Sequence, residues 1–262
     1  MKYRRWFSLA LVLCMVLPLA ACTLKPAAPW PALRAGGSLV HGSGRVVETK
    51  TPLSDNANSF VLRMIGISLR GSMEVELVVD ESLAREVSLT ADDNIAECIS
   101  VKYDAALGEI VVDTNRHVVL SPTKLRIAVG APVQRLDING GWRFTYSCPS
   151  VTDCEISING ATNGTLTFGT LNALWMNVNG AGDIRLAGAA KRADLTINGA
   201  GHVKAFDLAA EAAGVTINGA GDCEITATGT LDAVINGVGK VVYGGNPVVN
   251  RQVHGVGEVR AR

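Results

Sequence analysis

Six cysteines, four histidines and 24 acidic residues are the groups with which this 262-residue chain could do covalent, metal or acid–base chemistry. The histidines, His41, His117, His202 and His254, show none of the short spacings of a zinc site. The acids Asp183, Asp194, Asp207, Asp222, Glu224 and Asp232 fall at different positions of the repeat described below, so no general acid/base pair stands out. G-x-S-x-G, H-E-x-x-H and P-loop patterns are absent, and "GAG" and "GVG" lack the third glycine and following helix of a dinucleotide fingerprint. "GAGD" resembles one piece of a calcium-binding β-roll, but those rolls repeat every nine residues and the period here is about double. The residue after the second glycine is Asp183, His202, Asp222, Lys240 and Glu258, and a lysine in that column argues against a calcium ladder. The sequence therefore predicts no catalytic residue, no metal and no cofactor.

Cysteine usage points to structure. Cys148 and Cys154 flank "PSVTD", and a disulfide closing that short loop is expected in an oxidising compartment, with free or metal-bound thiols as the alternative. Cys223 stands where other repeats carry Ile184, Val203 and Val241, and reads as a small core residue. Any pairing of Cys98 is left open.

The N-terminus carries the clearest covalent signal. "MKYRRW" is a basic n-region and "FSLALVLCMVLP" a short apolar h-region. Leu19-Ala20-Ala21-Cys22 follows. This stretch resembles the lipobox of bacterial lipoproteins. The resemblance implies cleavage between Ala21 and Cys22, a diacylglyceryl thioether on the Cys22 sulfur and a further acyl chain on the freed amine. Each buried methylene contributes about 0.8 kcal/mol, so several chains anchor the protein firmly. An ordinary secretory signal is the alternative. By the same resemblance, Thr23 rather than Asp after the cysteine implies sorting to the outer membrane. Residues 22–41, with Pro26, Pro29, Pro31 and Gly36-Gly37, read as a tether.

The whole chain is 48% hydrophobic and rich in glycine, with 28 residues, which suits a repetitive β-structure with many tight turns. Basic and acidic residues balance at 24 each, so there is no positive excess for nucleic acid. The second half repeats one phrase. Asn-Gly recurs at Asn139, Asn159, Asn179, Asn198, Asn218 and Asn236, and His254-Gly255 closes the series. The intervals are 20, 20, 19, 20, 18 and 18 residues, the period of a solenoid with one unit per coil. Apolar residues stand one and three positions before each Asn and five and seven after it, for example Leu195, Ile197, Val203 and Ala205. Period two on both sides of the corner means strands with one buried face.

Two architectures fit. Asn-Gly as a hairpin turn would give a meander or an outer-membrane barrel. Asn-Gly-small-Gly as a corner would turn each coil over the last, with parallel pairing. The second is preferred, because the alternate face carries Arg185, Lys204, Glu224 and Arg260, where a barrel would face lipid. The stacked asparagines then form a hydrogen-bonded ladder, and tolerance of left-handed backbone is expected to favour both Asn and Gly there. A row of exposed ligand-binding amides is the alternative. The fold class is all-β, a right-handed parallel β-helix or solenoid with coils of about 18–20 residues, irregular over 42–130 and regular over 131–262. Strand patterns such as "SFVLRMIGISLRG", "EVSLTADD" and "GEIVVDTN" fill the irregular part, read as first coils and cap, with a separate small domain left open. "ESLAREV" could form a turn or two of helix. The charged end of "HGVGEVRAR" is expected to protect the last sheet edge.

"GSGRVVE", "TADDNIAECISVKYD" and the repeated "ING[AV]G" together resemble the bacterial head GIN domain family of auto-transporter-adhesin-like proteins, over nearly all of the mature chain. That resemblance implies a parallel β-helix in an envelope protein and carries no catalytic residues. The expected function is a non-catalytic binding, adhesin-like or scaffolding module anchored to the membrane by lipid. An envelope protein or polysaccharide is the expected partner, and homo-oligomer formation stays open. A carbohydrate-active β-helix enzyme is the rival, favoured by two carboxylates and a basic residue meeting in one groove.

Overall fold

The computed structural model describes residues 38–54, 60–69, 75–80, 82–114, 118–121 and 124–262. The signal and lipobox readings, Ala21 and Cys22 included, lie outside the described residues, as does His117. Of the described residues 78% are strand and 2% helix, so among them no helical layer covers the sheets and the core must lie inside the coil. The strands are β1 (Ser38–His41), β2 (Val46–Pro52), β3 (Phe60–Leu69), β4 (Val75–Val79), β5 (Glu86–Asp92), β6 (Ile99–Asp104), β7 (Glu109–Thr114), β8 (Val118–Ser121) and β9 (Leu125–Val129). The regular part continues with β10 (Val133–Cys148), β11 (Asp153–Asn159), β12 (Thr162–Val178), β13 (Ala181–Ile197), β14 (Ala200–Ile217) and β15 (Ala220–Ile235). It ends with β16 (Val238–Gly244), β17 (Val248–Val253) and β18 (Val256–Ala261).

Every pairing from β10 to β18 is parallel and joins a residue to its counterpart one coil away, such as Leu195 with Val215 and Ile197 with Ile217. Asn-Gly hairpins would give antiparallel pairs, so the meander and barrel readings are excluded. The period-two columns point inward. Ile138, Ile158, Val178, Ile197, Ile217 and Ile235 are all buried, as are Phe144, Ile184, Val203, Cys223 and Val241. The return segments, which sequence left as loose, are packed as well: Phe168, Leu171, Leu174, Ala190, Leu208, Ala210 and Leu231 are buried. Size is matched between neighbouring coils. Gly164 lies over the Phe144 ring, where a Cβ would come within 2.7 Å of two ring carbons.

The stack does not follow chain order at its N-terminal end. β3 and β4 pair with β10, and β7, β8 and β9 pair with β3 and β4, so the coil of residues 109–129 lies outside the coil of residues 60–79. Each outer strand is then covered: β7 by β6 antiparallel, β8 by β1 parallel and β9 by β5 antiparallel, with β2 added to β5. Covered edges cannot template further pairing. Two expectations are corrected here. Ser38–His41, assigned to the tether, is strand β1, because the β8 edge offers it a partner. "ESLAREV" is not helical: Glu86 and Val87 open β5, whose backbone groups pair on both sides. The helical turn is Asp93–Ala96. At the other end, β17 pairs only with β15 and β18 only with β16, leaving Val248 and Val256 exposed.

Candidate functional site

The Asn-Gly corner is structural. Asn159 donates through Nδ2 to Oδ1 of Asn139 at 3.0 Å, and the same bond joins Asn179 to Asn159 (2.9 Å), Asn198 to Asn179 (2.7 Å), Asn218 to Asn198 (2.8 Å) and Asn236 to Asn218 (2.8 Å). Each inner amide both donates and accepts within the column, which fixes its orientation. Backbone bonds cross the corner too, with Asn198 N–H donating to Val178 C=O and Ala200 N–H to Gly180 C=O. The expected left-handed backbone holds only at the first two corner glycines, Gly140 (φ +127°) and Gly160 (φ +147°). No residue other than glycine has positive φ among the described residues, and Gly180, Gly199, Gly219, Gly237 and Gly255 have none either. Instead, a Cβ on Gly199 would overlap the carbonyl oxygen of Gly180, and each later corner glycine meets its predecessor in the same way. Backbone stacked directly on backbone leaves no room for a side chain.

Two sequence signatures some 50 residues apart form a single clasp. Gly44, at φ +82°, turns the "GSGR" loop over the Asp93–Ala96 turn. Gly44 N–H donates to Asp92 Oδ1 (2.8 Å) and Ser43 N–H to Asn94 Oδ1 (3.0 Å). Arg45 Nε donates to Asp93 Oδ2 (2.7 Å), and the Ser43 hydroxyl donates to Asp93. Asn94 Nδ2 closes the clasp on the His41 carbonyl at 2.7 Å. The Ser43 hydroxyl, the Asn94 N–H and Arg45 hold the Asp93 carboxyl below the usual carboxylate range. Asp92 is fully buried beneath. These contacts tie β1 and β2 to the cap.

Cys148 and Cys154 are buried free thiols and not a bridge, as are Cys223 and the half-buried Cys98. Burial and then the neighbouring Cys148 push the Cys154 thiol up to about 12, and burial does the same to Cys223. Such thiols are poor nucleophiles at neutral pH. Among the described residues no three His, Cys, Asp or Glu side chains gather to hold a metal. His202 Nδ1 lies 3.5 Å from Asp222 Oδ2 on the open sheet surface.

Two grooves open on the outer faces. In the first, of about 270 Å³, Trp175 stands beside Val61, Leu107, Gln134, Arg135, Asp153 and Glu155. Trp175 is 44% exposed, the one aromatic ring so exposed among the described residues, and its strand neighbours on either side are Glu155 and Asp194. A charge ladder runs into this groove across four coils: Glu109 to Arg63 (2.7 Å), Arg63 to Asp137 (3.7 Å), Asp137 to Arg135 (3.1 Å) and Arg135 to Glu155 (3.5 Å). Asp137 is the main reason the Arg135 guanidinium holds its proton more firmly than usual. The second groove, of about 420 Å³, is lined by Arg143, Asn163, Gly164, Thr165, Asp183 and Arg185. Sequence alignment of the repeats places Thr165 and Arg185 on the outward face and Gly164 in the inward column, but gives no sign of a hollow there. The exposed Trp175 in a polar column was the available signal, and it was missed.

The fold recurs in solved structures. A putative adhesin from Bacteroides fragilis is 19% identical with a TM-score of 0.68, over 85% of this chain and all of that one. A putative lipid binding protein from Parabacteroides distasonis is 22% identical with a TM-score of 0.61, over 86% of this chain and all of that one. A putative adhesin from the same species is 16% identical with a TM-score of 0.53, again over 86% of this chain and all of that one. Among curated proteins, none matches the chain. The family model described as "Putative auto-transporter adhesin, head GIN domain" matches residues 65–247, which span the inner coils and all six Asn-Gly corners, and the chain belongs to that family.

Proposed function

We propose that the protein is a non-catalytic binding module, lipid-anchored at Cys22 to the bacterial outer membrane, whose solenoid faces hold an extended envelope ligand. The observation that carries this is Trp175. A large indole held in the open on a rigid sheet costs hydration free energy unless something covers it. Around it, the Gln134 amide, Asp153 Oδ1 and Glu155 Oε1 have no hydrogen-bond partner among the described residues, while Val61 and Leu107 add apolar surface. A flat apolar platform edged by hydrogen-bonding groups suits a sugar ring, which has an apolar face and a polar rim. A polysaccharide is therefore the favoured ligand and a protein the second. The family's adhesin description and the structural neighbours' names support a binding role.

The enzyme reading has one specific observation in its favour, since Asp153, Glu155 and Arg135 meet in this groove. The geometry weighs against it. Asp153 and Glu155 lie two residues apart on strand β11 and rise from the same wall, whereas glycoside cleavage needs carboxyl groups flanking the bond. Arg135 is held between Asp137 and Glu155. A glycan array on the purified full chain, followed by product analysis of every retained glycan, tests the reading. Retention without new chain ends, weakened about ten-fold by Trp175→Ala, is expected. Turnover of any glycan would overturn it. Anchoring is tested separately: Cys22→Ser is expected to lose acyl label and leave the membrane fraction, and unchanged labelling would refute the lipid anchor.

A further inference from the structure

The second groove differs from the first in charge. Among the described residues there are eleven arginines. Arg45, Arg63, Arg126, Arg135, Arg192 and Arg260 are in ion pairs, Arg85 and Arg262 lie over aromatic rings, and Arg251 donates to the Val259 carbonyl. Arg143 and Arg185 alone have no ion pair, hydrogen bond or ring contact, and both line the same groove. An unpaired surface arginine is ordinary. Coincidence of the two in one hollow is what needs explaining.

The repeat fixes their geometry. Arg143 pairs in register with Asn163, and Thr165 pairs with Arg185. The guanidinium-bearing residues are therefore two strand spacings apart across the stack, about 9–10 Å, and offset by two residues along the strands. Asn163 and Thr165 lie between them, and the Asn163 side-chain carbonyl is occupied by the backbone N–H of Asp183 at 3.0 Å. Forks rising from positions that far apart can each take a separate carboxylate and so match successive charges of a chain laid over the coils. Asp183 stands on the same strand as Arg185 and repels such a ligand, which sets a limit on its affinity.

We propose that the Arg143–Arg185 groove binds an acidic polysaccharide through carboxylates on separate sugar units. This site is independent of Trp175 and adds a charge preference to the protein. The chain's balanced charge supplies no long-range attraction, so recognition is local and salt-sensitive. Polygalacturonate is the probe, titrated calorimetrically into the full chain in detergent, with neutral dextran and inorganic phosphate as further arms. Expected are binding that falls on the order of ten-fold between 50 and 200 mM salt, a loss of at least about ten-fold in Arg143→Gln/Arg185→Gln, and tighter binding in Asp183→Asn. Arg192→Gln, which alters a paired arginine elsewhere, should leave affinity unchanged. Both groove side chains are exposed, and far-UV circular dichroism of the double variant checks its fold. Equal binding to dextran, unchanged affinity in the double variant, or displacement by millimolar phosphate would each overturn the proposal, the last by showing a single-anion site. Failure here with Trp175-dependent glycan retention intact would remove this site and leave the proposed function standing.

Discussion

Replacing Gly199 by alanine tests why the corners are glycine. A Cβ there would overlap the Gly180 carbonyl oxygen and sit 2.8 Å from its carbonyl carbon and 3.0 Å from its nitrogen. Ordinary carbon contacts need about 3.5–4.0 Å, so the coil must lift by roughly an ångström or more at that corner. Three bonds cross the gap: Ala200 N–H to Gly180 C=O at 2.9 Å, Asn198 N–H to Val178 C=O at 2.8 Å, and Asn198 Nδ2 to Asn179 Oδ1 at 2.7 Å. Lengthening all three beyond hydrogen-bonding range costs about 1 kcal/mol each. The stiffer unfolded chain returns about 0.4–1 kcal/mol, leaving a net loss of about 2–3 kcal/mol. Guanidinium unfolding followed by the fluorescence of the buried Trp142 would measure it. Gly44→Ala is the contrast. Its φ is +82° with nothing within 4 Å of the added carbon, so only the left-handed backbone penalty of about 1–2 kcal/mol applies. Gly199→Asn separates the two causes, because asparagine tolerates left-handed backbone but brings the same Cβ. A Gly199→Ala variant within 0.5 kcal/mol of the parent, or Gly199→Asn much milder than alanine, would refute the close-approach argument.

The Asn ladder predicts a gradient. Asn198→Ala breaks two side-chain bonds and should cost about 2 kcal/mol in the same assay, while Asn236→Ala breaks one and should cost about half as much. The buried thiols predict alkaline lability of the reduced protein. Cys154 and Cys223 keep their protons to about pH 12 when folded and release them near 9 when unfolded, so their contribution is full below pH 9 and is lost as pH rises toward 12. Cys223→Ala should flatten the fall in urea midpoint by up to about 1.4 kcal/mol per pH unit, and an unchanged slope would remove the thiol from the account. Mass spectrometry after denaturation without reductant should show Cys148 and Cys154 both alkylatable, and a Cys148–Cys154 link would overturn the free-thiol assignment. The clasp predicts acid lability at the N-terminal cap. Asp93 is held below the usual carboxylate range, so its contribution is present above pH 4 and fades as pH falls through the folded value. Hydrogen exchange of the β2 amides should accelerate in acid in the parent, and Asp93→Asn should exchange fast at every pH.

The sequence alone determined the coil. An Asn-Gly spacing of 18 to 20 residues with period-two apolar positions on both sides has few solutions, because one face of each strand must be buried and the only partner of equal pattern is the next repeat. Leu195, Ile197, Val203 and Ala205 could be placed in the core before any coordinates. The sequence also held the clasp's two halves, "GSGR" and "ADDN", without any means of joining them. Tertiary structure decided what depends on contacts between coils out of chain order or out of register. It set the coil of residues 109–129 outside that of residues 60–79, recruited Ser38–His41 as an edge strand, and packed the return segments. It also changed the reason for the corner glycines. Sequence shows a residue's own backbone preferences, and the limit at Gly199 comes from the carbonyl of the coil below. The two grooves belong to the same class. Arg143 and Asn163 share one outward repeat position and Arg185 holds another, and only stacking at a fixed register brings the three to one hollow.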